Sequence, residues 1–286
     1  MVKNKFGKDI PEIKQIITDI FVRKYISKTL SDVLQSLGVV GAEQRINSIF
    51  YSLEQCVEVE DYELRAHQLL EEVGVDGKKI TEKLSGRADL IYSQIANYLV
   101  GTSVLDLGCG DGKVGERIAK AGLEVTLADV YEQVHIKDMG LDFVCFVQGE
   151  KVPLKSKNYD ITLLLTVMHH SDDPIATLNE AKRLTKKRGY IIVIESVYDV
   201  KDKSKFGSLS SEEQRLANIF FDHFYNRVIH YNSNLSKKVN VPFNFNTPQG
   251  WLKLFEANEL EQVVVEHLGI DQALVPEYHT LHVLRG

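Results

Sequence analysis

The sequence has few cysteines and no long apolar run. Its 286 residues include three cysteines, Cys56, Cys109 and Cys145, an odd number that falls in no metal-ligand spacing. This usage is typical of a reducing, cytoplasmic compartment. No stretch approaches the roughly 20 apolar residues that a membrane-spanning helix needs. Met1 to Asp9 is polar and basic without an apolar core, so we predict neither a secretory signal nor a membrane partner.

The chain also lacks an excess of positive charge. It has 34 lysines and arginines against 40 aspartates and glutamates, a formal net charge of −6. The basic residues are scattered, and their one local cluster, 182–188, lies at the end of a predicted helix, where cations complement the helix dipole. Because a general nucleic-acid binder needs a basic stripe, a nucleic-acid partner is not expected.

The N-terminal third has the pattern of packed helices. Between Pro11 and Leu37 apolar residues recur at steps of three and four, and Gly38 follows, which predicts one amphipathic helix. Further helical patterns run from about 42 to 57, 60 to 73 and 80 to 99. We predict a helical region over 1–79 that acts as a lid or as a dimerisation surface, the latter giving a homodimer.

Strand and helix patterns alternate after this region. The first strand, at 104–107, is followed by strands at 125–128, 143–147, 160–165 and 190–194, with a helix at 174–185. This order predicts an α/β domain over 80–286, a doubly wound and mostly parallel sheet. The last two strands, 262–268 and 279–284, leave no room for a crossover helix and should pair antiparallel. A helical insertion interrupts the domain at about 199–247.

The segment Val104 to Gly112, VLDLGCGDG, is the most informative part of the chain. Its glycines allow positive φ and a close approach of a ligand to the backbone. Gly110, Gly112 and Gly115 fit the GxGxxG pattern of dinucleotide sites, with Asp129 placed to meet a ribose. In a second register, Asp106 precedes Gly108, Gly110 and Gly112 at alternate positions. A carboxylate gives no advantage beneath a pyrophosphate, but it suits a cofactor with an amino-acid moiety and a sulfonium cation.

Four pieces of the sequence resemble one family. They are VLDLGCGDG, the acid Asp129 after the second strand, the stretch from Val152 to Asp160, and Thr166 to Pro174, TVMHHSDDP. In these the chain is similar to the class I S-adenosylmethionine-dependent methyltransferases of the small-molecule, type 11-like group. The resemblance implies a Rossmann-like fold, S-adenosylmethionine (SAM) as methyl donor and S-adenosylhomocysteine as product.

The resemblance also implies a set of cofactor-binding residues. They are Asp106, Gly108, Cys109, Gly110, Asp111, Gly112, Asp129, Val130, Gln148, Gly149, Thr166 and His170. Asp129 is expected to accept hydrogen bonds from the ribose. Gln148 stands where the family usually has an acid for the adenine amino group, and its amide oxygen can accept the same hydrogen bond.

Candidates for the acceptor side come from strand ends and from the insertion. His223, His230 and Glu195 are the predicted catalytic residues, with either histidine as general base. The predicted substrate-binding residues are Tyr225, Asn226, Arg227, Tyr278 and His279. A competing interpretation is a helix that packs its aromatics on the core while its polar groups meet solvent. No metal is expected, because the acids and histidines show no ligand spacing.

Together these features predict a cytoplasmic methyltransferase that moves a methyl group from SAM to oxygen or nitrogen of a small molecule by in-line displacement. Two alternatives stay open at this stage. One is methylation of a protein or tRNA, and the other is a non-catalytic scaffold that only binds the cofactor.

Overall fold

The computed structural model describes residues 9–202, 206, 208–234, 237–272 and 274–286. The chain divides into two compact units. A helical unit contains Met1–Leu84, Tyr198–Phe245 and Ile270–Glu277, and a sheet unit contains Ser85–Val197, Asn246–Gly269 and Tyr278–Gly286.

The described residues form helices and strands whose order alternates in the sheet unit. The helices are α1 (Asp9–Thr18), α2 (Ile20–Ser36), α3 (Ala42–Gln55), α4 (Val59–Glu71), α5 (Gly77–Lys83), α6 (Arg87–Ile95), α7 (Lys113–Ala119), α8 (Pro174–Leu184), α9 (Ser211–His223) and α10 (Pro248–Ala257). The strands are β1 (Ser103–Leu107), β2 (Glu124–Asp129), β3 (Asp142–Cys145), β4 (Tyr159–Leu165), β5 (Thr185–Val197), β6 (Glu261–Gly269) and β7 (Tyr278–Arg285).

The long N-terminal helix predicted from the sequence is divided in two at Asp19. This residue has an extended backbone, and its carboxylate accepts hydrogen bonds from the N–H groups of Phe21 at 2.9 Å and Val22 at 3.0 Å. Such capping satisfies donors that otherwise lack partners at a helix start. The apolar spacing continues through the break, which explains why periodicity alone did not reveal it.

The predicted insertion belongs to the same compact unit as the N-terminal helices. Phe220 and Phe224 of this segment are buried in one apolar core with side chains of α1 to α4, and the rings of Phe50 and Phe220 meet edge to face at 5.7 Å. A π-helix, Phe224–Ile229, continues α9. Aromatic burial of this kind is a large stabilising contribution, so the insertion completes the apolar core of the N-terminal helices from within the same chain.

The sheet unit has seven strands in the order β3-β2-β1-β4-β5-β7-β6. The first five are parallel, while β7 runs antiparallel to both β5 and β6. The predicted doubly wound sheet and its antiparallel end are therefore confirmed. Since β1 lies between β2 and β4, the carboxyl ends of these three strands meet at one edge, where ligands bind in such sheets.

Candidate functional site

A glycine loop follows β1 and leads into α7. Gly108, Gly110 and Gly112 have φ values of +80°, +55° and +71°, a region that glycine adopts readily. The Gly108 N–H donates to the carbonyl of Ala128 at 2.7 Å. A Cβ at Gly108 would lie 2.6 Å from Val167, whereas a Cβ at Gly110 would meet no protein atom within 4 Å. The loop is therefore packed at its first glycine and open at its second.

Asp106, in β1, is a buried carboxylate beside this loop. It is 2% exposed, and its Oδ2 has no hydrogen-bond partner of normal geometry among the described residues. Burial raises the pKa of Asp106 to about 7, the charges of Asp129 and Asp111 add to the rise, and the Gly115 N–H offsets part of it. An acid in this position is stabilised by a cation.

Asp129 ends β2 and faces the same loop. Its Oδ2 accepts a hydrogen bond from the Gly110 N–H at 2.7 Å, and its Oδ1 accepts one from the Val130 N–H at 2.6 Å. Burial raises the pKa of Asp129, and these N–H groups oppose the rise. Val130 is 49% exposed and Val147, after β3, is 61% exposed. Val147 was not among the residues predicted from the sequence, because its exposure depends on where the chain turns after β3.

The remaining predicted cofactor residues lie in the sheet unit. Cys109 is part of the glycine loop, and Asp111 accepts a hydrogen bond from the Lys113 N–H at 3.2 Å. Gln148 donates weakly from Nε2 to the His170 carbonyl at 3.4 Å, and Gly149 and Thr166 have φ values of +83° and +58°. The twelve positions therefore lie at the carboxyl ends of the parallel strands β1 and β2 and in the segments that follow β1, β2, β3 and β4.

Glu195, in β5, has a fully buried side chain whose oxygens are both engaged. It accepts hydrogen bonds from the N–H groups of Val167 at 3.0 Å and Met168 at 2.7 Å, and its other oxygen lies 2.5 Å from His169 Nδ1. Because three donors of the loop after β4 converge on Glu195, this environment favours a role in positioning that loop over the catalytic role predicted from the sequence. The loop that Glu195 holds in place by these hydrogen bonds includes Val167, which packs against Gly108.

The helical unit holds a buried ionic cluster, which we define as Glu63, His223, Arg227 and Lys238. Glu63 Oε1 lies 3.2 Å from His223 Nε2 and 2.8 Å from the Arg227 guanidinium, and Oε2 lies 2.5 Å from Lys238 Nζ. All four side chains are at most 3% exposed. The competing interpretation, that the polar groups of this helix meet solvent, is therefore wrong for His223 and Arg227.

Ionic contacts set the protonation within the cluster. Burial alone raises the pKa of Glu63, but the hydrogen bonds from His223 and Lys238 and the charge of Arg227 bring it below its usual range. Burial lowers the pKa of His223. The cluster therefore contains an ionised carboxylate and a neutral imidazole at neutral pH. Glu63 was not predicted, although an acid in the buried stripe of α4, between Tyr62 and Ala66, was a sequence signal for it.

The other predicted acceptor residues are divided between the two units. In the helical unit, the Tyr225 hydroxyl donates to the Leu274 carbonyl and Asn226 Nδ2 donates to Asp222 Oδ1 at 2.7 Å. His230 packs against Gly77, and burial lowers its pKa. In the sheet unit, Tyr278 and His279 begin β7 opposite Val197 and Ser196.

Comparison with known proteins matches this architecture. The sequence model of a family described as "Methyltransferase domain" matches residues 105–193. A ubiquinone biosynthesis O-methyltransferase of Ruegeria sp. (strain TM1040) is 29% identical over 117 residues, which are 38% of this chain and 47% of that protein. The namesake of Actinobacillus pleuropneumoniae serotype 7 is 31% identical over 118 residues, 37% and 50% of the two chains. The chain thus spans about half the length of these curated relatives.

Solved structures agree at the level of the fold. A SAM-dependent methyltransferase from Methanosarcina mazei gives a TM-score of 0.50 at 16% identity, covering 68% of this chain and 96% of the other. One from Thermotoga maritima gives 0.50 at 16% identity, covering 73% and 94%. Residues 105–193 therefore match a methyltransferase domain, and the sheet unit that contains them has the fold of these solved structures. In the described part of the chain, no helix is both long and apolar enough to cross a membrane.

Proposed function

We propose that this protein transfers a methyl group from SAM to a hydroxyl oxygen of a small-molecule acceptor. The observation that carries the proposal is the edge of the sheet where Asp106, Gly110 and Asp129 meet. Asp106 Oδ2 is buried there without a hydrogen-bond partner among the described residues, and Gly110 has no protein atom within 4 Å of the position of a Cβ. Asp129 supplies a second carboxylate, which accepts from the Gly110 N–H. An oxygen acceptor is supported by the O-methyltransferase names of the curated relatives.

The residues at this edge fit the cofactor group by group. Asp106 would offer a negative charge to the cationic groups of SAM, and Asp129 would offer carboxylate oxygens to its ribose hydroxyls. The exposed apolar side chains of Val130 and Val147 would suit its adenine ring, and the Gln148 amide oxygen could accept from the adenine amino group. Bound SAM supplies a methyl group already activated on a sulfonium, so the protein's task is proximity and alignment.

On the acceptor side, we propose that His223 is the general base. Because Glu63 is ionised, the hydrogen-bond network assigns the ring hydrogen of His223 to Nε2 and leaves the lone pair on Nδ1. Glu63 therefore fixes the tautomer, and the lowered pKa keeps the ring neutral and able to accept a proton. Arg227, Tyr225, Asn226, Tyr278 and His279 are the proposed acceptor-binding residues, and His230 is the second candidate base.

Substitution of Gly110 tests the cofactor site. Gly110→Ala adds a Cβ where the protein has open space, so the variant should fold with a loss of about 1 kcal/mol from its positive φ. Its affinity for SAM, measured by titration calorimetry, should fall at least about tenfold, the equivalent of about 1.4 kcal/mol. Gly140→Ala is the matched control, because Gly140 has φ +68°, has no neighbour within 4 Å and precedes β3 at the opposite edge. Equal affinities of the two variants, or no binding of SAM by the parent protein, would contradict the proposed site.

Substitution of His223 tests the base. We expect His223→Gln to lower kcat by about 10²- to 10⁴-fold, the usual contribution of a general base, with the affinity for SAM unchanged. Transfer of labelled methyl from SAM to a panel of small aromatic hydroxyl compounds measures kcat. His230→Gln is the comparison variant. Undiminished turnover of the His223 variant would exclude it as the base, and a loss confined to the His230 variant would assign the role there.

A further inference from the structure

We propose that binding of SAM to this site expels a proton from Asp106, so that cofactor affinity rises with pH across neutrality. The inference rests on the proposed function, since it concerns the same site. In the free protein, Asp106 is partly protonated near neutral pH.

The three acids around the glycine loop differ in how many hydrogen-bond and ion-pair partners their carboxylates have. Asp129 accepts two backbone N–H groups, and Asp111 accepts one and lies 3.4 Å from Lys113 Nζ. Asp106 has no ion pair among the described residues, and its Oδ2 receives no hydrogen bond there. A buried carboxylate without a partner is strongly disfavoured in its ionised form.

The second support is the set of groups that face Asp106. The loop contributes Asp111 and the Cys109 thiol, β2 contributes Asp129, and α7 contributes the Gly115 N–H. On β4 the residue in register with Asp106 is the apolar Leu163. No cation is among these groups, and the two neighbouring acids repel a further negative charge. Protonation of Asp106 removes this repulsion and is therefore favoured by its surroundings.

The consequence follows from charge balance. Burial first, and then the charges of Asp129 and Asp111, raise the pKa of Asp106 to about 7. In the free protein near neutrality Asp106 is thus partly a carboxylic acid. A cationic ligand pairs with the carboxylate, so the O–H bond breaks, the electron pair stays on the oxygen and the proton passes to the buffer. Below neutrality every binding event must displace this proton, and affinity falls up to about tenfold per pH unit.

Calorimetry with SAM itself measures the proton directly. The parent protein is titrated with SAM at pH 6, 7 and 8 in buffers of different ionisation enthalpy. We expect close to one proton released at pH 6, about half at pH 7 and little at pH 8, following the pKa of about 7. Asp106→Asn should bind more weakly, release no proton and show no pH dependence. Glu124→Gln changes an exposed acid at the opposite end of β2 and should retain the proton release.

Thermal unfolding without ligand supplies an independent readout. The folded pKa of Asp106 lies above its unfolded value, so its stabilising effect is full below about pH 4 and is lost as pH rises through about 7. The Tm of the parent protein should therefore fall relative to that of Asp106→Asn between pH 5 and pH 8. Parallel Tm curves, or SAM binding with no proton released at pH 6, would overturn the proton coupling alone. Absence of SAM binding at every pH would overturn the proposed function and the coupling with it.

Discussion

Glu63→Ala is expected to lower the free energy of unfolding by about 3–5 kcal/mol, the usual cost of removing one partner from a buried ion pair. The alanine leaves the charges of Arg227 and Lys238 in the apolar core without the carboxylate that both contact. It also removes the hydrogen-bond partner of His223 Nε2. Urea unfolding followed by far-ultraviolet circular dichroism measures the loss, because this unit is helical.

Glu54→Ala is the control for this result. Glu54 pairs with Arg23 at 2.6 Å on α2 and α3 of the same unit, but its side chain is 41% exposed. Exposed pairs contribute about 0–1 kcal/mol, so the two variants should differ by several kcal/mol. Similar losses for both would show that the buried cluster is not an energetic centre of the helical unit.

Glu195→Ala is the second change with a large expected effect. It leaves the N–H groups of Val167 and Met168 and the His169 ring without their common acceptor, and each buried donor left unpaired costs about 1–3 kcal/mol. Because Val167 packs against Gly108, release of its loop should also disturb the cofactor site. We expect a lower Tm and a loss of SAM affinity of about tenfold or more, the equivalent of about 1.4 kcal/mol.

Glu195→Gln separates positioning from acid–base chemistry. The amide oxygen can still accept from Val167 and Met168, and its NH₂ can donate to His169 Nδ1 in the other tautomer. A positioning residue is therefore rescued in SAM affinity and in Tm by glutamine. If glutamine restored the affinity and the Tm but not the turnover, Glu195 would take part in the chemistry as a base.

Local sequence patterns were sufficient to predict the main strands of the sheet unit. The apolar stretch before Gly108, the acids Asp106 and Asp129 and the alternation of strands and helices predicted a mostly parallel sheet with its ligand edge after β1. These features could be predicted because each depends on residues that are close in sequence. Glycine allows positive φ wherever it stands, and a strand is recognised by the pattern of apolar residues within it. The antiparallel end was predictable for the same reason, since a short connection cannot hold a crossover helix.

Contacts between residues far apart in the sequence were not predicted, because local patterns do not contain them. Periodicity placed the insertion in the sheet-containing region, but burial of Phe220 against Phe50 joins it to the N-terminal helices. The sequence named His223 as a candidate base but did not reveal Glu63, which lies 160 residues earlier in the chain and contacts its ring. It named Glu195 as a catalytic candidate but did not reveal the three donors of the loop after β4 that contact its carboxylate.

The sequence by itself predicted a methyltransferase domain and the acids at the glycine loop, because the residues that bind a cofactor at strand ends are close together in the sequence. Only the tertiary structure showed that Asp106 is buried with no ion pair among the described residues, and that both carboxylate oxygens of Glu63 and of Glu195 have partners. The state of a buried charge depends on which distant groups reach it and on how completely water is excluded, and neither is written in its neighbours along the chain.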